Sequence, residues 1–203
     1  MRNDGVENFR WWERGIIYQV YPRSFKDSNG DGVGDLRGIR SKLHYLQWLG
    51  VDAVWISPIF PSPMADFGYD VSDHCDVDPR FGTLADFDAL VADAHVLGLR
   101  LIVDLVPNHT SNEHPWFKAA RSDSDSQYRD WYIWSKKRPA GWNKGMVFPG
   151  VQKAVCTRDR VAKLYYHHRF YEFQPDLNMD NAHVRAEIRR IIGYWLQLGV
   201  DGF

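Results

Sequence analysis

The sequence predicts an α/β fold, the N-terminal half of a (β/α)8 TIM barrel with a subdomain inserted after strand 3. Three observations predict it. Apolar runs of strand length alternate with stretches of helical periodicity. Three junctions repeat one pattern, Leu49-Gly50-Val51-Asp52, Leu97-Gly98-Leu99-Arg100 and Leu198-Gly199-Val200-Asp201. In each, a glycine that ends a helix runs straight into an apolar strand, the αβ turn of a right-handed parallel unit. The second and third junctions also lie about twice as far apart as the first and second, and the surplus, residues 110–173, is too long for a loop.

The elements follow in order. Residues 16–21 are β-branched and aromatic behind Gly15, so they read as the first strand. A Gly/Asp-rich loop spans 27–35. Leu36, Ile39, Leu43, Leu46 and Leu49 then recur at helical spacing up to Gly50, and 51–56 is a buried strand. Thr83 and Asp86 form a capping-box pattern ahead of the stripe Leu84, Phe87, Leu90, Val91, Ala94 and Leu97. Gly98 closes that helix and 99–103 is the third strand. Residues 110–173 are rich in Trp, Tyr, Lys and Arg and show little periodicity, which predicts a small subdomain over the catalytic face. Val184, Ile188, Ile191, Ile192, Trp195 and Leu198 mark a last helix, and Val200 opens another strand. The expected division is 1–109 as the first part of the barrel, 110–173 as the insert, and 174–203 as its continuation to the start of strand 4. The rival fold is an open doubly wound sheet. That fold would place a glycine-rich phosphate loop after the first strand, where this chain has an acidic one.

Composition narrows the partners. A net charge of -1 over 203 residues gives no electrostatic footprint for nucleic acid or an anionic membrane. No apolar run approaches the ~20 residues of a membrane span, and the polar stretch 1–10 lacks the apolar segment of a secretory signal. Cys75 and Cys156 show no metal-type spacing, so a reducing cytoplasm is expected. Aromatic residues make up 15% of the chain, with nine Trp. Such an excess suits a large core, and also a site that stacks flat apolar faces such as sugar rings.

Active sites of such barrels sit at the carboxyl ends of the strands. Strand three ends in Asp104-Leu105-Val106-Pro107-Asn108-His109, three polar side chains directly after an apolar strand. They either form a satisfied hydrogen-bond cluster or bind something, because polar groups are costly to bury unpaired. After strand two, the rigid loop 57–63 delivers Gly68-Tyr69-Asp70. Tyr69 can stack on a sugar ring and Asp70 can accept from its hydroxyls, while a simple turn explains the triplet equally well. In the acidic loop, oxygen ligands fall at alternate positions, Asp27, Asn29, Asp31, the Val33 carbonyl and Asp35. This matches the first part of an EF-hand loop and departs at its twelfth position, where Gly38 replaces the bidentate Glu. A structural Ca2+ or Mg2+ is expected there, because three carboxylates gathered without a cation repel one another.

These segments, with Ile17 to Phe25 and Gln174-Pro175-Asp176-Leu177-Asn178, resemble the α-amylase clan (glycoside hydrolase family 13). The likeness is to its α-glucosidase, oligo-1,6-glucosidase and trehalose synthase branch, and it spans nearly the whole chain. It implies that Asp70 and His109 hold a glucose with Tyr69 beneath the ring. Asn108 and Asp176 would form a second metal site or a structural pair, and Asp104 would orient its neighbours. The implied mechanism is retaining, through a nucleophilic and an acid/base carboxylate. The nucleophile belongs to a Gly-Phe-Arg-x-Asp pattern that begins at Gly202-Phe203, so no catalytic carboxylate is expected within these residues and the chain alone is expected to be inactive. The implied activity is hydrolysis or transfer of terminal α-linked glucose from a small α-glucoside or oligosaccharide. One alternative is a trehalose synthase, which 165–171 resembles and 142–151 does not. Another is a catalytically inactive relative.

Overall fold

The computed structural model describes residues 10–203. The polar stretch 1–10 lies outside them except for Arg10. The described residues form two compact units. The first comprises 10–57, Arg80–Asp104 and Leu198–Phe203; the second comprises Pro58–Pro79 and Leu105–Gln197.

In the first unit, a single helical turn, α1 (Trp11–Arg14), precedes β1 (Ile17–Val20). There follow α2 (Pro22–Phe25), α3 (Leu36–Ser41), α4 (Leu43–Trp48), β2 (Ala53–Ile56), α5 (Leu84–Val96) and β3 (Arg100–Val103). The strands pair in chain order and all in parallel, with Ile17 beside Ala53 and Ala53 beside Arg100. Gly202 continues the order, because its carbonyl accepts from Val103 N–H at 3.2 Å in a parallel bridge beside β3. Sequential parallel order with helical crossovers is the barrel pattern.

The three junction glycines adopt φ of 85°, 74° and 95° at Gly50, Gly98 and Gly199, the left-handed conformation a helix C′ position favours. The residues two places on tie neighbouring strands together. Asp52 accepts from Ile16 N–H at 2.7 Å, and Arg100 donates to Asp201 at 3.0 Å. The capping box at Thr83 forms as read, with Thr83 Oγ1 accepting from Asp86 N–H and the Asp86 carboxylate accepting from Thr83 N–H. One expectation changes: the single helix read over 36–49 is two, broken at Lys42, where φ is -107° and ψ 2°. The apolar stripe survives the break, and Leu36, Ile39, Leu43 and Leu46 are all buried.

The second unit holds α6 (Pro115–Ser122), a 3-10 turn at Arg129–Trp131, β4 (Trp134–Ser135), β5 (Cys156–Arg158), β6 (Tyr165–His167) and α7 (Ala182–Gln197). Its three strands make an antiparallel sheet ordered β4-β6-β5. Much of the aromatic excess forms its core. Phe117 stacks on Trp134 at 5.6 Å and meets Tyr132 and Tyr166 edge-on at 5.0 and 5.2 Å. This compact unit is wider than the stretch 110–173. Backbone bonds from Ser111 to Val71, Thr110 to Pro175 and Leu177 to Asn108 tie in the loop after β2 and the Gln174–Asn178 segment. No helix among the described residues is long and apolar enough to cross a membrane.

Candidate functional site

Tyr69, Asp70, Asn108, His109 and Asp176 all lie on the second unit. The loop after β2 is stiff for a visible reason. Asp70 is 1% exposed, and its carboxylate accepts from Ser62 Oγ (2.9 Å), Ala65 N–H (3.0 Å) and Asp66 N–H (3.0 Å). The wrap around Asp70 holds Met64 at φ 63° and Phe67 at φ 50°. Left-handed backbone at a non-glycine residue is strained and clusters at ligand clamps.

All three of these donors belong to Asp70's own loop, so its carboxylate braces the turn. The carboxylate the turn presents is Asp66, which sequence reasoning missed. Asp66 is half-buried, and one oxygen accepts from Gln174 Nε2 at 2.8 Å. Burial raises its pKa above the usual carboxylate range; the Gln174 hydrogen bond opposes that rise and the Asp70 charge adds to it. Tyr69 lies beside it, 36% exposed.

His109 converges on the same turn. Its Nε2 lies 3.1 Å from the Tyr69 carbonyl, which can only accept, so Nε2 carries the proton. Nδ1 is then the bare nitrogen and accepts from Asn108 Nδ2 at 3.2 Å. Burial pushes the His109 pKa down to about 4, so the ring is neutral near pH 7. Phe170 packs edge-on against it at 5.1 Å. Phe170 also lines a cavity of 260 Å³ with Gln152, Lys153, His168, Tyr171 and Phe173. In chain position Gln174 opens the Gln174–Asn178 motif and Phe170 lies four residues before it, so the motif was the available signal for both.

Asn108 and Asp176 satisfy each other, with Asn108 Nδ2 donating to Asp176 at 3.0 Å. The same Asp176 oxygen accepts from Arg169 N–H at 3.0 Å, and His167 Nε2 lies 3.5 Å from the other. In this arrangement the Asn108 amide turns its donor to the carboxylate, so the two side chains form a hydrogen-bonded pair. Asp104 accepts from Trp55 Nε1 at 3.2 Å within the first unit.

The acidic loop sits on the first unit. Asp27 accepts from the N–H groups of Asn29, Gly30 and Gly32, and Asp31 from Val33 N–H and Asn29 Nδ2. The Gly32 and Gly30 N–H groups hold the Asp27 pKa below the usual carboxylate range. Gly30 and Gly32 adopt φ of 84° and 87°, as the tight wrap requires. Asp35 is buried and caps α3 through Gly38 N–H at 2.7 Å. Its other oxygen takes Ser28, so it is the least available ligand of the set. Gly38 has a steric reason to stand where an EF-hand has Glu, since a Cβ there would lie 1.8 Å from the Lys26 carbonyl oxygen. Among the described residues, no three His, Cys, Asp or Glu side chains gather in a metal-holding arrangement. The chemistry of the loop, hard oxygens at alternate positions, still suits a hard cation.

Comparisons with known proteins bear on this arrangement. The family described as alpha amylase, catalytic domain, matches residues 19–203. A probable alpha-glucosidase of Rhizobium meliloti (strain 1021) is 51% identical over 95% of this chain and 35% of that protein. An oligo-1,6-glucosidase of Parageobacillus thermoglucosidasius is 49% identical over 95% and 34%. A trehalose synthase of Pimelobacter sp. (strain R48) is 45% identical over 97% and 34%. Among solved structures, a trehalulose synthase from Pseudomonas mesoacidophila MX-45 superimposes with a TM-score of 0.90 at 44% identity, over 96% of this chain and 35% of that one. A trehalulose synthase mutant solved in complex with the substrate sucrose gives 0.89 at 45% identity, over 95% and 34%. The chain thus spans 34–35% of the length of these relatives. The parallel strands in chain order, the matched catalytic-domain family and the extent of the likeness lead to one assignment: the chain belongs to the alpha-amylase family of glycoside hydrolases and carries the N-terminal part of its (β/α)8 catalytic domain.

Proposed function

We propose that these residues belong to a retaining glycoside hydrolase acting on terminal α-linked glucose of maltose- or isomaltose-type oligosaccharides. The carrying observation is the convergence of Asp66, Tyr69 and His109, from two distant stretches of chain, on one strained turn. In this reading Asp66 accepts from two sugar hydroxyls and Tyr69 stacks beneath the ring. His109 donates Nε2–H to a third hydroxyl, exchanging the Tyr69 carbonyl for the sugar without loss of hydrogen-bond number. The aromatic cavity beside Phe170 suits the next sugar of the substrate. In this reading the nucleophile and acid/base carboxylates are not among these residues, so the 203-residue chain is expected to be inactive in an assay where the full-length protein turns over. The two unpaired cysteines support a cytoplasmic setting.

Incubation of the full-length protein with maltose tests this reading, because glucose as the sole product supports the hydrolase. Trehalose as a product would instead establish the trehalose synthase reading, which is favoured by the likeness of residues 165–171 and by a relative of that name. Neither product, with no release of p-nitrophenol from its α-glucoside, would mean an inactive relative.

We also propose that Asp27, Asn29, Asp31, the Val33 carbonyl and Asp35 take a structural Ca2+ or Mg2+. Ligand type and spacing support it. Calcium titrated into chelator-treated protein should raise the melting temperature, and an unchanged melting curve at millimolar calcium would remove the proposal.

A further inference from the structure

We infer that Gln174 is a positioning residue for the sugar clamp, holding the Asp66 side chain in the orientation that receives the substrate. The inference rests on the reading of Asp66 as the sugar-binding carboxylate and adds how that carboxylate is held. Gln174 is fully buried, at 0% exposure. Its Oε1 accepts from Tyr171 N–H at 3.2 Å. A backbone N–H can only donate, so the amide cannot flip, and Nε2 must face Asp66, 2.8 Å away. The residues on either side are pinned as well. The Phe173 carbonyl accepts from Asn112 N–H at 2.8 Å and the Pro175 carbonyl from Thr110 N–H at 3.1 Å.

One Asp66 oxygen is therefore tethered by a rigid donor 108 residues away in sequence, on the segment that follows the aromatic cavity. That tether selects a rotamer for a carboxylate on a strained turn and favours its ionised, accepting form. Burial and the charge of Asp70 act in the opposite direction. A clamp whose acceptor is oriented before the sugar arrives avoids the ordering cost at binding.

The test uses the full-length protein, with p-nitrophenyl α-glucoside for turnover and free glucose as a competitive ligand. Gln174→Leu should raise the inhibition constant for glucose by about tenfold or more, the worth of one hydrogen bond to a charged group. The double variant Asp66→Asn with Gln174→Leu should bind glucose no worse than Asp66→Asn alone. Gln174→Glu retains the acceptor for Tyr171 N–H and the side-chain volume but turns a second carboxylate toward Asp66. Its deficit should be large at pH 7 and shrink toward pH 5, where a shared proton restores the bond. Loss in the double variant equal to the product of the single losses, or a Gln174→Glu deficit independent of pH, would overturn the positioning role. An Asp66→Asn variant that binds glucose as the unmodified protein does would remove the clamp reading, and this inference with it. Impaired Asp66→Asn beside unimpaired Gln174 variants would remove the positioning role alone.

Discussion

At the residue scale, Asp66 and Asp70 differ in what holds them. Four positions apart on one turn, they play different parts because Asp70 collects three donors from the loop while Asp66 takes one and stays half-exposed. Asp70→Asn should therefore lower stability by about 1–3 kcal/mol, the cost of a buried donor left facing a donor, and the denaturant midpoint reads this directly. Asp66→Asn should leave the midpoint within about 0.5 kcal/mol and raise KM for the α-glucoside about tenfold or more. The reverse pattern would return the sugar-binding role to Asp70. This distinction was not legible in the sequence, since Gly68-Tyr69-Asp70 names a carboxylate without saying which neighbouring N–H groups consume it. The convergence of His109 on the same turn was legible, through its place at the end of the third strand.

At the element scale, local signals located most of the first unit. The capping box at Thr83 starts α5 where it was read, and Thr83→Ala should cost about 1 kcal/mol, measurable by urea denaturation. Gly38 is a harder constraint. A methyl group there meets the Lys26 carbonyl, so Gly38→Ala should destabilise by more than the ~1 kcal/mol of an ordinary helical substitution, because backbone must shift. The break at Lys42 was not legible, because the apolar stripe keeps helical phase across it. The helix α6 was also missed. It is eight residues long, too short for periodicity to declare itself, although His114-Pro115 marks its start. His114 Nδ1 caps it by accepting from Trp116 N–H at 3.1 Å, and Pro115 occupies the first turn.

At the scale of the whole molecule, pH acts through buried histidines. Burial pushes the pKa of His74 down to about 4 and that of His114 to about 3, from 6.5 in the unfolded chain. The unfolded state then binds more protons than the folded state below pH 6.5. Stability is fully present above that pH and falls progressively toward pH 4 and 3, by on the order of 1.4 kcal/mol per pH unit and histidine. Melting temperatures across pH 7 to 4 should show this decline. His114→Asn keeps a side-chain acceptor at the cap and should flatten it, and an unchanged slope would place the acid sensitivity elsewhere. By itself the sequence determined the parallel strand order, the helix-ending glycines, the acidic loop and the family, because each depends on local backbone preference or on a contiguous motif. Only the tertiary structure decided that the loop's own donors converge on Asp70, that Asn108 and Asp176 bond to each other, and that Gln174 reaches Asp66. Those are relations between side chains up to 108 residues apart, set by which donors the packed chain brings within about 3 Å of which acceptors and by which of them burial leaves without water.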